Sequence, residues 1–242
     1  MNNAKDFKLE NKDDYIYYLT ELLLSTNNYL QANKSAIDEL GDFIDSHNLL
    51  NKDQLVEEDY YIKFRDRINE SSLSLLNVFG DHANFACSYQ NYRKLIKETD
   101  FSYLELSSDE QSKLNQLTTT RNWVAHIPLS LLNSYKERGR DVRAVRNDDF
   151  IFYPVFEKYE SRWLIDLYGS SLNHLKDFKK WFECLKSEYK VLTGRNCVLT
   201  EFKIDVRPFS DIAVSQVSLM IQKKEIKTLK DVENFYSTQD NS

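Results

Sequence analysis

The chain has 242 residues, enough to bury a substantial core in one large domain or two small ones. With 5 Gly and 3 Pro it is too poor in turn formers for a sandwich or barrel of many tight strands. A net charge of −6 excludes capture of polyanions by the global field, so any nucleic-acid contact must come from a local basic patch.

Met1 to Lys12 is a polar lead-in without the apolar core of a signal segment. Tyr15, Leu19, Leu22, Leu23, Leu30, Ile37 and Leu40 then recur mostly at three- and four-residue steps. This spacing predicts one long helix or two stacked ones, ending around Gly41 to Asn51. A second long helix is expected from about Leu55 to Cys87, with Gly80 as a point of interruption. A short turn at Tyr92 to Ile96 follows. Ser107 with Glu110, or Ser108 with Gln111, has capping-box spacing and should open another helix. Leu114, Leu117, Val124 and Ala125 form its expected inner stripe, with Trp123 and Val124 as anchors, and Pro128 stops it just after His126.

Lys136 to Asp149 is polar and basic, and an aromatic strand is expected within Phe150 to Phe156. The clearest helix of the second half spans about Tyr159 to Leu192, with Trp163, Leu164, Leu167, Leu172, Leu175, Phe178, Trp181, Phe182 and Leu185 inward and Gly194 as its stop. Phe202, Ile204 and Val206 alternate with charged residues and could pair with the Phe150 region as a short β-hairpin. A last helix is expected from about Asp211 to Lys224. The fold class is thus mainly α, a helical bundle carrying a small hairpin in its C-terminal half. Residues 13–236 read as one domain, with the bundle at about 15–135, an elaboration at about 150–236, and a polar tail at 237–242.

Cys87, Cys184 and Cys197 are odd in number without paired spacing, which fits a reducing compartment; with no apolar run long enough to span a bilayer, a cytoplasmic protein is expected. The histidines and cysteines lack metal-ligand spacing, so neither metal nor cofactor is expected. Acidic pairs such as Glu57-Glu58-Asp59 and Asp148-Asp149 could hold Mg²⁺ but are more often helix-start residues complementing the dipole.

The stretch Arg121-Asn-Trp-Val-Ala-His126 places a permanent cation close to a side chain that titrates near neutrality. On an ideal helix Arg121 and His126 lie roughly 140° apart, while Asn122 and His126 share a face. Arg121 can offer a forked cation to a phosphate, Asn122 can orient the groups, and His126 can move protons. RNA carries its own nucleophile in the 2′-hydroxyl, so such groups suffice to cleave it without a metal when two copies supply two histidines across a two-fold axis. Lys136, Arg138, Arg140, Arg143 and Arg146 are the expected phosphate contacts beside the motif.

The fuller context, Leu117, then Arg121-Asn122, three residues, Ala125-His126 and a helix stop, resembles the HEPN superfamily and its Arg-x(4–6)-His motif. The RN…AH form looks most like the HEPN proteins of abortive-infection and toxin systems. The resemblance covers about residues 15–135 and implies a dimeric helical bundle acting as a metal-independent endoribonuclease, with an antitoxin or other regulatory protein as partner. Where some relatives place a tyrosine two residues after the His, this chain has Pro128, so control through that tyrosine is not expected. The alternative implied by the same resemblance is a non-catalytic scaffold.

Overall fold

The protein, seen here as a computed structural model, is described over residues 7–83, 86–125, 145–147, 150–152, 156–202, 225, 227–232 and 234. It is mainly α, with two small antiparallel strand pairs. Backbone contacts divide it into two compact units, Met1–Cys197 and Val198–Ser242. That boundary falls inside the stretch that the sequence reads as one domain.

Helix α1 (Lys12–Ser46) is a single helix. Asn11 caps it by accepting from the backbone N–H of Asp13 (2.9 Å) and Asp14 (3.2 Å), while the Asp14 carboxylate accepts from the Asn11 N–H (3.0 Å). It runs through Gly41 because Leu40 and Ile44 on either side are buried, and that burial offsets the roughly 1 kcal/mol that glycine costs a helix. Every apolar position of the expected stripe is buried.

The chain then differs from expectation. Leu55–Glu57 is a strand, β1, and helix α2 (Glu58–Gly80) begins only after it. Val56 points inward between exposed Leu55 and Glu57, an alternation that a strand satisfies and a helix does not. Its partner is distant: β1 pairs with β4 (Lys158–Glu160), with Val56 opposite Tyr159.

α2 ends well short of Cys87, at Gly80, where the chain has room for no side chain. A Cβ at Gly80 would sit 2.7 Å from the Leu117 carbonyl oxygen, so the end of α2 lies directly against the backbone of α4 (Ser108–Ala125). Gly80→Ala is expected to destabilise the protein by about 1–2 kcal/mol, since overpacking against rigid backbone exceeds the helix-propensity gain. A urea midpoint equal to or above that of the parent would contradict this close approach.

Helix α3 (Tyr89–Ile96) is capped by Ser88, whose Oγ accepts from the Asn91 N–H (3.2 Å). The Phe150 region forms a hairpin with a nearer partner than expected. β2 (Val145–Asn147) pairs with β3 (Phe150–Phe152), joining Val145 to Phe152 and Asn147 to Phe150. A partner two residues away closes with little loop entropy. Phe202 lies outside any strand and is exposed, while Ile204 and Val206 fall outside the described residues.

Helix α5 (Ser161–Thr193) stops at Gly194, which adopts the left-handed φ of 73° that favours glycine. α5 packs along α1 and also meets α2, so the bundle extends beyond residues 15–135. Leu164, Leu175, Phe178, Trp181, Phe182 and Leu185 face inward as expected, but Trp163 and Leu172 do not. A polar knot joins α5 to α3. Glu188, fully buried, accepts at Oε2 from Tyr89 Oη (3.0 Å) and Arg93 Nη1 (3.0 Å), and at Oε1 from the Leu104 N–H (2.8 Å).

In the second unit, Thr228 and Asp231 begin a short helical turn: the Asp231 carboxylate accepts from the Thr228 N–H (2.9 Å), and Thr228 Oγ1 accepts from the Asp231 N–H (3.2 Å). The helix expected at Asp211 to Lys224 lies outside the described residues. Among the described residues no helix is long and apolar enough to cross a membrane.

Candidate functional site

Three contacts set the position of α4, and through it the motif. At its start, Ser107 and Glu110 form the expected capping box, with the Glu110 carboxylate accepting from the Ser107 N–H (2.8 Å) and Ser107 Oγ accepting from the Glu110 N–H (3.3 Å). In the middle, fully buried Leu114 anchors it, and Gln90 Nε2 of α3 donates to the Leu114 carbonyl and to Thr118 Oγ1, both at 3.2 Å. At Leu117 it lies against Gly80. The last turn therefore projects beside the end of α2.

There Arg121 is built into a mostly buried corner. Its Nε donates to Asn77 Oδ1 (3.0 Å), its Nη2 to Asp81 Oδ2 (2.8 Å) and its Nη1 to Asn122 Oδ1 (3.3 Å). Asp81 uses its other oxygen to accept from the Ala83 N–H (2.9 Å), which ties the carboxylate to the turn after α2. The Asp81 end of the ion pair is thus held by backbone and the Arg121 end by two asparagine side chains. Arginine has five N–H donors, so one hydrogen on each terminal nitrogen remains for another acceptor. A planar fork held this way presents fixed positive charge to an oxyanion at little ordering cost.

Asn77 and Asp81 were not singled out from the sequence. Their four-residue spacing at the end of a helix places them on one face, a signal that the alternation of apolar residues did not reveal. His82 follows Asp81 directly and is exposed at the same corner. α4 is described as far as Ala125, the residue before His126.

The expected inner stripe of α4 fails at its last turn. Val124 is 56% exposed and Trp123 51%, and Ala125 is exposed as well. The reason is geometric: α2 and α3 meet α4 on the faces of Leu114 and Arg121, and the side chains of Trp123 and Val124 lie off those faces. His126, Lys136, Arg138, Arg140 and Arg143 lie outside the described residues, as does the side chain of Arg146, whose backbone belongs to β2.

Beside the motif, α4 and α5 enclose a groove of about 670 Å³ with Leu117, Thr120, Trp181 and Cys184 among its walls. Burial pushes the Cys184 thiol up, so at neutral pH it is a packed thiol rather than a nucleophile. Lys113 and Lys180 on the groove's rim pair with Asp109 (2.6 Å) and Asp177 (2.9 Å). Among the acidic candidates, Glu57 pairs with Lys158 (2.9 Å), and Glu58 and Asp59 occupy the first turn of α2, where they complement the helix dipole. Comparison with protein families, with characterised proteins and with solved structures finds no match for the chain.

Proposed function

We propose that this chain is a metal-independent endoribonuclease of the HEPN type, acting as a toxin or in antiphage defence in the cytoplasm. The observation that carries this reading is the clamp on Arg121: Asp81 and Asn77 hold its fork in a corner against the end of α2, with Asn122 alongside. In this reading the remaining guanidinium N–H groups stabilise charge on the phosphoryl oxygens. One His126 takes the proton of the RNA 2′-hydroxyl, whose oxygen attacks phosphorus. The bond to the 5′-oxygen breaks, and a second His126, from the partner of a homodimer, protonates that oxygen. The products carry a 2′,3′-cyclic phosphate and a 5′-hydroxyl. Lys136, Arg138, Arg140, Arg143 and Arg146 hold RNA phosphates, and a regulatory or antitoxin protein restrains the activity.

The test is incubation of purified parent and His126→Ala proteins with total RNA and tRNA in excess chelator. The expected result is cyclic-phosphate fragments from the parent and a rate lower by about 10²–10⁴ in the variant. Equal cleavage by both proteins would sink the reading.

One observation favours the second reading, a non-catalytic scaffold. All three nitrogens of Arg121 already serve the chain's own acceptors, which is what a structural clamp of α4 on α2 requires. On that reading the parent leaves RNA intact while loss of Arg121 still lowers stability.

A further inference from the structure

The opposite end of α2 carries an aromatic surface that the monomer leaves uncovered. Tyr61 stacks on Tyr159 with ring centroids 4.4 Å apart, Trp163 meets both edge-on at 6.2 and 6.3 Å, and Phe156 lies 6.0 Å from Tyr159. The inner rings brace β4 against α2 and need no other explanation. The outer ones do: Phe156 is 55% exposed and Trp163 54%, beside the β1–β4 pair and the first turns of α2 and α5. Contiguous exposed rings of this kind mark contact surfaces.

The charge around the rings narrows the occupant. Residues 55–66 and 156–166 contain seven carboxylates and four cations. Three of the cations are already paired: Lys158 with Glu57 (2.9 Å), Arg162 with Glu160 (2.9 Å) and Arg65 with Asp66 (2.8 Å). The fourth, Lys63, stands over the Phe64 ring. Glu58, Glu157 and Asp166 have no ion-pair partner among the described residues. Each flanks a ring. Glu58 precedes Tyr61 by one helical turn, Asp166 follows Trp163 by one turn, and Glu157 lies between Phe156 and the strand that carries Tyr159. The Glu58 N–H donates to the Glu157 carbonyl (2.9 Å), which brings two of these residues together.

A polyanion is repelled from such a surface, whereas a planar cation suits both of its features. Guanidinium stacks on aromatic faces and offers forked donors to carboxylates, and it sheds water more readily than ammonium. The chain shows the chemistry itself, with the Arg65 guanidinium 5.9 Å from the Tyr61 ring centroid and that of Arg93 5.6 Å from the Tyr89 centroid. We infer that the Phe156–Tyr159–Trp163 face is a docking surface for an arginine-bearing segment of a protein partner. It stands apart from the Arg121 corner and does not depend on the ribonuclease reading.

The test uses the full-length chain and a labelled peptide of alternating Gly and Arg, followed by fluorescence anisotropy. Saturable binding is expected, weakened at least tenfold in Trp163→Ser and in the double variant Glu58→Lys/Asp166→Lys, and at least threefold weaker for a Gly-Lys peptide of equal length. Circular dichroism of each variant checks folding, and the double variant changes only side chains that leave the rings in place. Equal affinity for the two peptides, or unchanged binding in either variant, overturns the proposal. So does preferential binding of oligouridylate that Trp163→Ser removes, which assigns the surface to RNA. Self-association lost in Trp163→Ser, with no peptide binding, overturns it in favour of a second copy of the chain.

Discussion

Replacing Glu188 with Leu is expected to lower the free energy of unfolding by about 3–5 kcal/mol, the typical consequence of stranding one partner of a buried ion pair. Arg93 would lose its carboxylate partner at 3.0 Å, keeping the Leu104 carbonyl at 2.8 Å, while remaining almost wholly buried, and Tyr89 Oη and the Leu104 N–H would lose their acceptor. The cost arises from the unpaired charge, so removing both charges in Arg93→Met/Glu188→Leu should recover most of it. Chemical denaturation monitored by tryptophan fluorescence measures both. A midpoint for Glu188→Leu equal to that of the parent would show that the knot does not hold α3 to α5.

The same residue gives stability a pH dependence of definite sign. Burial raises the Glu188 carboxyl above its ordinary value of 4.5, a rise that the Leu104 N–H, Arg93 and Tyr89 only partly offset. Between 4.5 and the raised native value, the folded state holds more of this proton than the unfolded state does. Its contribution to stability therefore falls as pH rises through that window and is level on either side. Glu188→Gln should remove this slope. A parent and variant with parallel stability–pH curves from pH 4 upward would contradict the assignment.

On the proposed ribonuclease reading, replacing Arg121 with Ala is expected to reduce RNA cleavage by about 10²–10³-fold, the usual cost of losing a preorganised donor to a developing oxyanion. It should also cost about 1–3 kcal/mol of stability, because Asp81 and Asn77 lose a charged partner in a mostly buried corner. Arg121→Lys separates the two roles. Lysine keeps the charge but cannot reach Asn77, Asp81 and a phosphate at once, so cleavage should stay low while part of the stability returns. Cleavage at the parent's rate in a destabilised Arg121→Ala protein would assign the residue to the clamp alone and remove it from the proposed catalytic groups.

The apolar spacing made much of this fold legible. Tyr15 to Leu40 and Leu164 to Leu185 recur with the helical period, Ser107 and Glu110 announce a helix start, and Gly194 announces a stop. Each is a local signal, carried by neighbours within a turn or two and needing no knowledge of distant chain. The interruption at Gly80 is visible in the same way, but the need for a glycine there is not, since the Leu117 carbonyl that excludes a Cβ comes from another helix.

The candidate site divides along the same line. Arg121, Asn122 and His126 are recognisable from spacing and residue chemistry in the sequence itself. The partners that fix Arg121, Asn77 and Asp81, lie 44 and 40 residues away and become neighbours only when α4 settles on α2. The strand at Leu55–Glu57, the exposure of Trp123 and Val124, and the ring ladder around Tyr159 were decided in the same way, by which distant elements reach each face. Helical periodicity states which side chains share a face. Whether that face meets protein or water is a property of packing, because burial depends on neighbours that the local sequence does not contain.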